Sequence, residues 1–584
     1  MGNRLKSCII AFIALMALAP WPVKSSQATA WGVCSLKNYR SYCSYNSGNL
    51  IGVTGGGSYL FSTFIQEKTS LDSTNNALFT VELFDAARNP LGQSVRMERM
   101  VWSDYLGGKW YSNMNGGTSY LLEDNFQPVS ASAQNYKKVV VIPVSAAYAR
   151  IRVYNLGSVT LYSALTTFSK LNYLSEGEVG VKGMGIFYFN TLPEILASNG
   201  IEHTAARVFL SYLARRNPSG RIVDKFFDGM ILLANAKNHF RVPGYSAEVS
   251  HLSMVTWGNY LDILFDSMVD TLDLDGDSNF AEPLFDADGS TPPSALESLN
   301  EAAGTVKTAI GEPDYKVKFF VTIPIPIEGG DTGEILPPLF GNVDGYAGDE
   351  SFGDDDDEME IIGWFIHETL NRWDRDKHLY PHLELGGFYF NDEYPLAKNK
   401  NMAYWAMALT RPHGLKLIHS PYRIKNSNTP TSFRSSYFNG IYVQPHYFPD
   451  IDIRSDSTIP VLATMMLYPG LNHGGINLEW TGYAEGRAIL PYLDIVRDWD
   501  IADQVSFMTY DNGGRIYLCD PANRYLFEVS FCRVDGRDIY QEIADVLGRS
   551  KDPPNTIDPE IPIDDIEGNI VVPTLKGPGP LRAK

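Results

Sequence analysis

Leu385-Gly-Gly-Phe-Tyr-Phe-Asn-Asp-Glu-Tyr394 is a short apolar run that ends abruptly in Asn391, Asp392 and Glu393. An aromatic strand that delivers carboxylates at its C-terminal end is what a parallel β/α barrel uses to place its chemistry. Gly475-Ile-Asn-Leu-Glu-Trp-Thr481 repeats the pattern downstream. Glu393 and Glu479 are therefore the two carboxylates to follow.

Outward from these two stretches, the chain after Lys170 alternates strand-like and helix-like segments, which is how repeated βα units read. The expected strands are Gly185 to Phe189, Gly229 to Leu233, Val317 to Pro324, Gly386 to Phe390, Leu415 to His419, Gly440 to Gln444, Gly475 to Glu479 and Val505 to Tyr510. Between them, Glu358 to Trp373 and Met402 to Thr410 carry helical spacing, and Gly414 stands where a helix C-cap belongs. The expected fold of residues 170–550 is a TIM barrel with insertions. By strand count, Glu393 ends the fourth strand and Glu479 the seventh.

Before the barrel, residues 31–169 read as all β: Leu78 to Phe84, Val139 to Pro143 and Ala149 to Asn155 alternate or run apolar between Gly and Asn clusters. A β-sandwich closes such strands. Trp102, Tyr105, Trp110 and Tyr111 are either core packing or a surface that stacks on sugar rings. Residues 1–30 read as a signal peptide, with a basic start at Arg4 and Lys6, an apolar run from Ile9 to Leu18 and the small-residue pattern Ala28-Thr29-Ala30. A secreted or periplasmic protein is expected. Residues 551–584 are a Pro- and Asp-rich tail without periodicity.

The formal net charge of -20 argues against a nucleic-acid partner, because phosphate binding needs clustered Lys and Arg. No run apart from the leader approaches the ~20 apolar residues that cross a bilayer. Cys34, Cys43, Cys519 and Cys532 remain after the leader; in an exported chain they suggest two disulfides, with Cys34–Cys43 and Cys519–Cys532 the simplest of three connectivities.

Gly387-Phe-Tyr-Phe-Asn-Asp-Glu393, Tyr442-Val-Gln-Pro-His-Tyr-Phe448 and Gly475 to Glu479 resemble the motifs of an exported bacterial family catalogued as domain of unknown function 4855. The placement of the two Glu also resembles the clan of retaining TIM-barrel glycoside hydrolases, with acid/base at strand four and nucleophile at strand seven. That resemblance implies Glu393 as acid/base and Glu479 as nucleophile, acting on a glycosidic bond across a gap of ~5 to 5.5 Å. In that clan the acid/base directly follows an Asn, whereas here Asp392 intervenes after Asn391, which makes Asp392 a rival for the acid. The expected sugar-binding residues are Asn391, Asp392, Asp228, His419, Gln444, His446, Tyr447, Trp480 and Tyr510. The function so read is cleavage of a polysaccharide; the alternative is a non-catalytic carbohydrate-binding or cell-surface polysaccharide assembly protein on the same scaffold.

Thr271 to Glu282 resembles a calcium loop, with Asp273, Asp275 and Asp277 at alternate positions, Gly276 at the turn and Glu282 at the closing position. Thr271 and Ser278 depart from the pattern, and an acidic surface loop is the other reading. No cofactor is otherwise required, and structural calcium is the single metal expectation. His367-Glu368 lacks the second His of a zinc protease, and Gly244 to Glu248 lacks the final Gly of a nucleophile elbow.

Overall fold

The alternating runs that end at Lys170 form antiparallel strands: β1 Cys34–Leu36, β2 Tyr42–Ser44, β3 Ile51–Gly52, β4 Ser58–Glu67, β5 Asn76–Phe84, β6 Pro90–Val101, β7 Ala133–Val141, β8 Tyr148–Asn155 and β9 Leu161–Lys170. In a computed structural model, residues 34–36, 42–44, 49–67, 76–101, 133–155, 161–188, 205–233, 254–266, 293–323, 340–343, 355–391, 400–421, 437–445, 459–480, 489–511, 514–523 and 532–548 are described. One sheet has the order β1-β9-β4-β7 and the other β2-β8-β5-β6, with β3 added to β8. The core of this unit includes Phe61, Val81, Leu83, Val140 and Ile151. Glu82 is buried among them and is held by Arg150 directly across the β5–β8 ladder. This first unit ends at Leu171. Trp102, Tyr105, Trp110 and Tyr111, and the side chains of Cys34 and Cys43, lie outside what is described.

Residues Asn172–Lys551 belong to a second unit. Its centre is a closed barrel of eight strands, each parallel to its neighbours: Gly183–Tyr188, Gly229–Leu233, Val317–Ile323, Leu383–Phe390, Lys416–His419, Gly440–Val443, Gly475–Trp480 and Phe507–Asp511. They are called strands one to eight below. All eight expected strands are present in the expected order, because each is an apolar run short enough to be a strand and bounded by turn residues. A hairpin of Ala214–Arg216 and Ile222–Lys225 precedes strand two.

The helices show why they start and stop. Ser294 and Glu297 make a capping box at the start of Ala295–Ile310: Ser294 Oγ accepts from Glu297 N at 3.2 Å, and Glu297 Oε2 accepts from Ser294 N at 2.7 Å. Gly311, at φ 70°, closes the same helix. Asp355–Asp376 begins inside the acidic run, so Asp355, Asp356 and Asp357 lie in its first turn, where negative charge favours the helix dipole. Among the described residues no helix is long and apolar enough to cross a membrane.

Strand four contains the feature that sets its phase. Its register with strand three slips between Phe319/Phe320 and Leu385/Gly387, so Gly386 is an extra residue. Gly387 takes φ +147°, and a Cβ there would stand 1.9 Å from the Lys416 carbonyl oxygen. Only glycine fits. After a one-residue insertion every later side chain changes face. The Gly-Gly pair thus decides that Tyr389, not Phe388 or Phe390, takes the inner side.

Candidate active site

The barrel interior is filled by one contiguous apolar cluster. Met184 and Ile186 come from strand one, Ile231 and Leu233 from two, Phe320 from three, Tyr389 from four, Ile418 from five, Tyr442 from six and Met508 from eight, with Tyr510 packed against them. Strand seven adds no residue to it. With Asn477 and Glu479 alternating on one face, the inner positions of strand seven are Gly475, Asn477 and Glu479. Gly475 leaves room for the Tyr442 ring, which a Cβ would meet at 2.5 Å. The next two inner positions are polar and buried.

A short polar ladder runs beside them. Asn477 Nδ2 donates to Ser420 Oγ at 2.8 Å, Ser420 Oγ donates to the Tyr442 carbonyl at 2.8 Å, and Gln444 Nε2 donates to the Ser420 carbonyl at 3.3 Å. Ser420, Gln444 and Asn477 are all buried. They follow the apolar layer toward the C-terminal ends of strands five, six and seven. Glu479 is the next inner residue of strand seven and is 2% exposed. The hydroxyl of Tyr492, in the first turn of the helix Leu490–Asp498, donates to Glu479 Oε2 at 3.0 Å. Tyr510 stands beside Glu479 in the strand-eight register.

The expected sugar-binding residues are distributed unequally. Tyr510 takes the inner face beside Glu479, and half-buried Asn391 and buried Gln444 directly follow strands four and six. Asp228 does not. It opens strand two instead of ending it, so it lies at the N-terminal rim, where Lys182 N and Gly183 N both donate to Oδ1 at 2.9 Å. A cavity of about 420 Å³ does open there, bordered by Lys225, Asp228, Glu312, Tyr315, Lys316 and Lys318. Its charges answer one another: Lys225 pairs with Glu312 at 3.6 Å, and Lys318 pairs with Glu384 at 2.9 Å.

His419 and Trp480 are also corrected. His419 faces the outer layer: Nδ1 lies 3.3 Å from the Phe390 carbonyl, and the ring stacks on Phe438 at 4.7 Å. Burial pushes its pKa down to about 4, so it is neutral at ordinary pH. Trp480 is fully buried and pairs in register with Asp511. Asp511 in turn accepts from Tyr212 of the outer helix Ala205–Leu213 at 2.7 Å, and from Arg515 N and Ile516 N at 2.7 and 2.9 Å. Both side chains are one residue out of phase with the interior. The physical reason is the strict two-residue period of a strand.

Ser420, Asn477 and Tyr492 are the residues a linear reading passes over. Asn477 had a signal, standing two residues before Glu479, and Ser420 stands two after Ile418. Tyr492 had none, since thirteen residues separate it from the group it touches. Asp392, Glu393, His446, Tyr447, Asp273, Asp275, Asp277 and Glu282 lie outside the described residues. Among the described residues no group of three or more His, Cys, Asp or Glu could hold a metal ion. The Cys519–Cys532 disulfide is formed, with Cα atoms 5.3 Å apart.

Among solved structures the chain is similar to the CBM22-1 and GH10 modules of Clostridium thermocellum endo-1,4-beta-D-xylanase 10B complexed with xylohexaose. The two share 10% identity over 82% of this chain and 88% of that one, at a TM-score of 0.28. It is also similar to the Podospora anserina GH26-CBM35 beta-(1,4)-mannanase, at 9% identity over 86% and 95% of the two chains and a TM-score of 0.27. A carbohydrate binding module of Cellvibrio mixtus lichenase 5A, in complex with cellotriose, covers 25% of this chain and 90% of its own at 10% identity and a TM-score of 0.14. No curated protein matches the sequence. Residues 195–487, half of the chain and spanning strands two to seven, match the family described as Domain of unknown function (DUF4855), and the protein belongs to that family.

Proposed function

We propose that the protein is an exported glycoside hydrolase that cleaves a polysaccharide with retention of configuration, Glu479 acting as nucleophile and Glu393 as acid/base. The observation that carries this reading is the inner face of strand seven, which gives no side chain to the apolar interior and ends in a buried, hydrogen-bonded carboxylate. Burying a carboxylate costs free energy unless it is hydrogen-bonded or paired, and the C-terminal end of a barrel is where catalytic residues are placed. Asn391 directly follows strand four, and Glu393, two residues further in the sequence, is the partner that the resemblance assigns.

In the proposed reaction Glu393 protonates the leaving glycosidic oxygen while Glu479 attacks the anomeric carbon. Glu393 then deprotonates the water that releases the glycosyl group from Glu479. Asn391, Gln444 and Tyr510 are assigned to hold sugar hydroxyls and ring faces. The first unit is assigned to holding the polysaccharide, and the loop with Asp273, Asp275, Asp277 and Glu282 to a structural calcium.

Glu393→Gln and Glu479→Gln, assayed for reducing ends released from a panel of bacterial and plant polysaccharides, test the reading. Each should abolish release while leaving the circular dichroism spectrum unchanged. Full activity in either variant contradicts its assignment.

A further inference from the structure

We propose that the N-terminal rim of the barrel carries a second binding site, at the opposite end from Glu479, which takes a neutral saccharide on the Tyr315 hydroxyl and the Lys316 ammonium. The cavity of about 420 Å³ at that rim is of a size that holds a small ligand. Its walls are fixed by backbone. Tyr315 N donates to the Glu312 carbonyl at 3.2 Å in the turn after the helix Ala295–Ile310, and Lys318 N donates to the Asp228 carbonyl at 3.0 Å. Gly180, at φ +81°, forms another wall. A Cβ there would stand 2.9 Å from Lys318 Nζ, so glycine leaves that ammonium its place.

Tyr315 is the group that points to a ligand. It lines the cavity and is 5% exposed, and among the described residues nothing meets its hydroxyl. Lys225 lies over the ring, 6.0 Å from its centroid, and makes no bond to the oxygen. Burial, and after it the carboxylates of Asp228 and Glu312, push the phenol's pKa up, so it stays a protonated donor. A buried hydroxyl without a partner costs free energy, which a ligand oxygen in the cavity would recover.

The charges select the class of ligand. Lys225, Lys316 and Lys318 are matched on the lining by Asp228, Glu312 and Asp314, so the cavity offers no net positive field to a phosphate. Lys225 is already paired with Glu312 and Lys318 with Glu384, and Asp228 is taken up by two backbone N–H groups. The Tyr315 phenol and the exposed Lys316 ammonium are the donors that face a ligand, with the Asp314 carboxylate near them as acceptor. Donors and acceptors side by side in a neutral cavity suit hydroxyl groups, each of which both donates and accepts. The site does not depend on Glu479 being a nucleophile.

D-glucose, D-galactose, D-mannose and D-xylose, titrated at millimolar concentration into the full chain, test the proposal, with binding read by saturation-transfer difference NMR. Tyr315→Phe deletes only an oxygen that no described residue meets, so its melting temperature should not fall. Lys316→Ala alters an exposed side chain and serves as the second variant. For at least one sugar the dissociation constant should rise about tenfold in Tyr315→Phe, the scale of one hydrogen bond, and should rise in Lys316→Ala as well.

No signal from any of the four sugars overturns the proposal. Dissociation constants equal in the wild type and both variants also overturn it, leaving the phenol to ordered water. A phosphorus NMR line of inorganic phosphate that broadens with the wild type and not with Tyr315→Phe would make the cavity an anion site and overturn the saccharide assignment. Binding is read without turnover, so a failure here leaves the role of Glu479 untouched, and a failure of the cleavage assays leaves this site untouched.

Discussion

At the N-terminal end of the barrel, Asp228 accepts from the backbone of Lys182 and Gly183, Lys182 Nζ donates to the carbonyls of Ala502 and Val505, and Ser506 Oγ donates to the Val181 carbonyl. At the C-terminal end, Ser420, Asn477 and Gln444 lie near the inner face, and Glu479 accepts from the Tyr492 hydroxyl. The carboxylate at the first end is held by main-chain donors, and the one at the second accepts from a tyrosine hydroxyl on the face that a ligand would approach. The difference teaches that a carboxylate's partners, more than its burial, separate a structural role from a chemical one.

Glu479→Gln should produce the largest effect, a loss of polysaccharide cleavage of at least about a thousandfold with unchanged thermal unfolding. A variant that unfolded instead would move Glu479 into the structural group with Asp228. Gly387→Ala should come next, lowering stability by about 3 kcal/mol or more, since its backbone lies in the glycine region and the added Cβ meets the Lys416 carbonyl. Chemical denaturation measures it, and an unchanged midpoint would mean that the bulge does not set the phase of strand four.

His419 sharpens the comparison from the outer layer. Its pKa near 4 in the folded protein lies below the ordinary 6.5 of the unfolded chain. The stability it contributes as a neutral ring is therefore complete above that ordinary value and is lost as pH falls toward 4, by about 3 kcal/mol in all. Melting temperatures of wild type and His419→Phe, compared at neutral pH and near pH 4, should show the variant losing less on acidification. Cleavage activity should be retained, because the ring faces the helices.

Asp228 gives the smallest effect and the opposite sign. Burial raises its pKa above the ordinary carboxylate value despite the backbone donors, so in the window just above that value the folded state keeps a proton that the unfolded chain has released. Its contribution to stability is present at low pH and declines as pH climbs through the raised pKa. Asp228→Asn should flatten that decline. A parallel pair of stability curves would contradict the assignment.

The barrel was legible because its strands are apolar runs closed by glycine and polar residues, and because carboxylates stand at the ends of two of them. What was not legible is phase. His419 and Ser420 are adjacent, and nothing local says that Ser420 turns inward; the same one-residue ambiguity separates Trp480 from Glu479. Asp228 opens strand two, as its sequence suggests, and in a parallel barrel the start and the end of a strand are opposite rims. The Gly386–Gly387 pair was visible as two glycines, and its role as a bulge emerges only against the register of strand three. Tyr492 reaches Glu479 from thirteen residues along the sequence, which no spacing rule reveals.

The central claim is that Glu479 attacks the sugar and carries it as a covalent intermediate. Proton NMR of the first product formed from a responsive polysaccharide tests this most directly, because the anomeric configuration can be read before mutarotation. Retention is the expected result. Inversion would require a water between the two carboxylates, at a separation of ~6.5 to 9.5 Å, and would contradict the nucleophile assigned to strand seven.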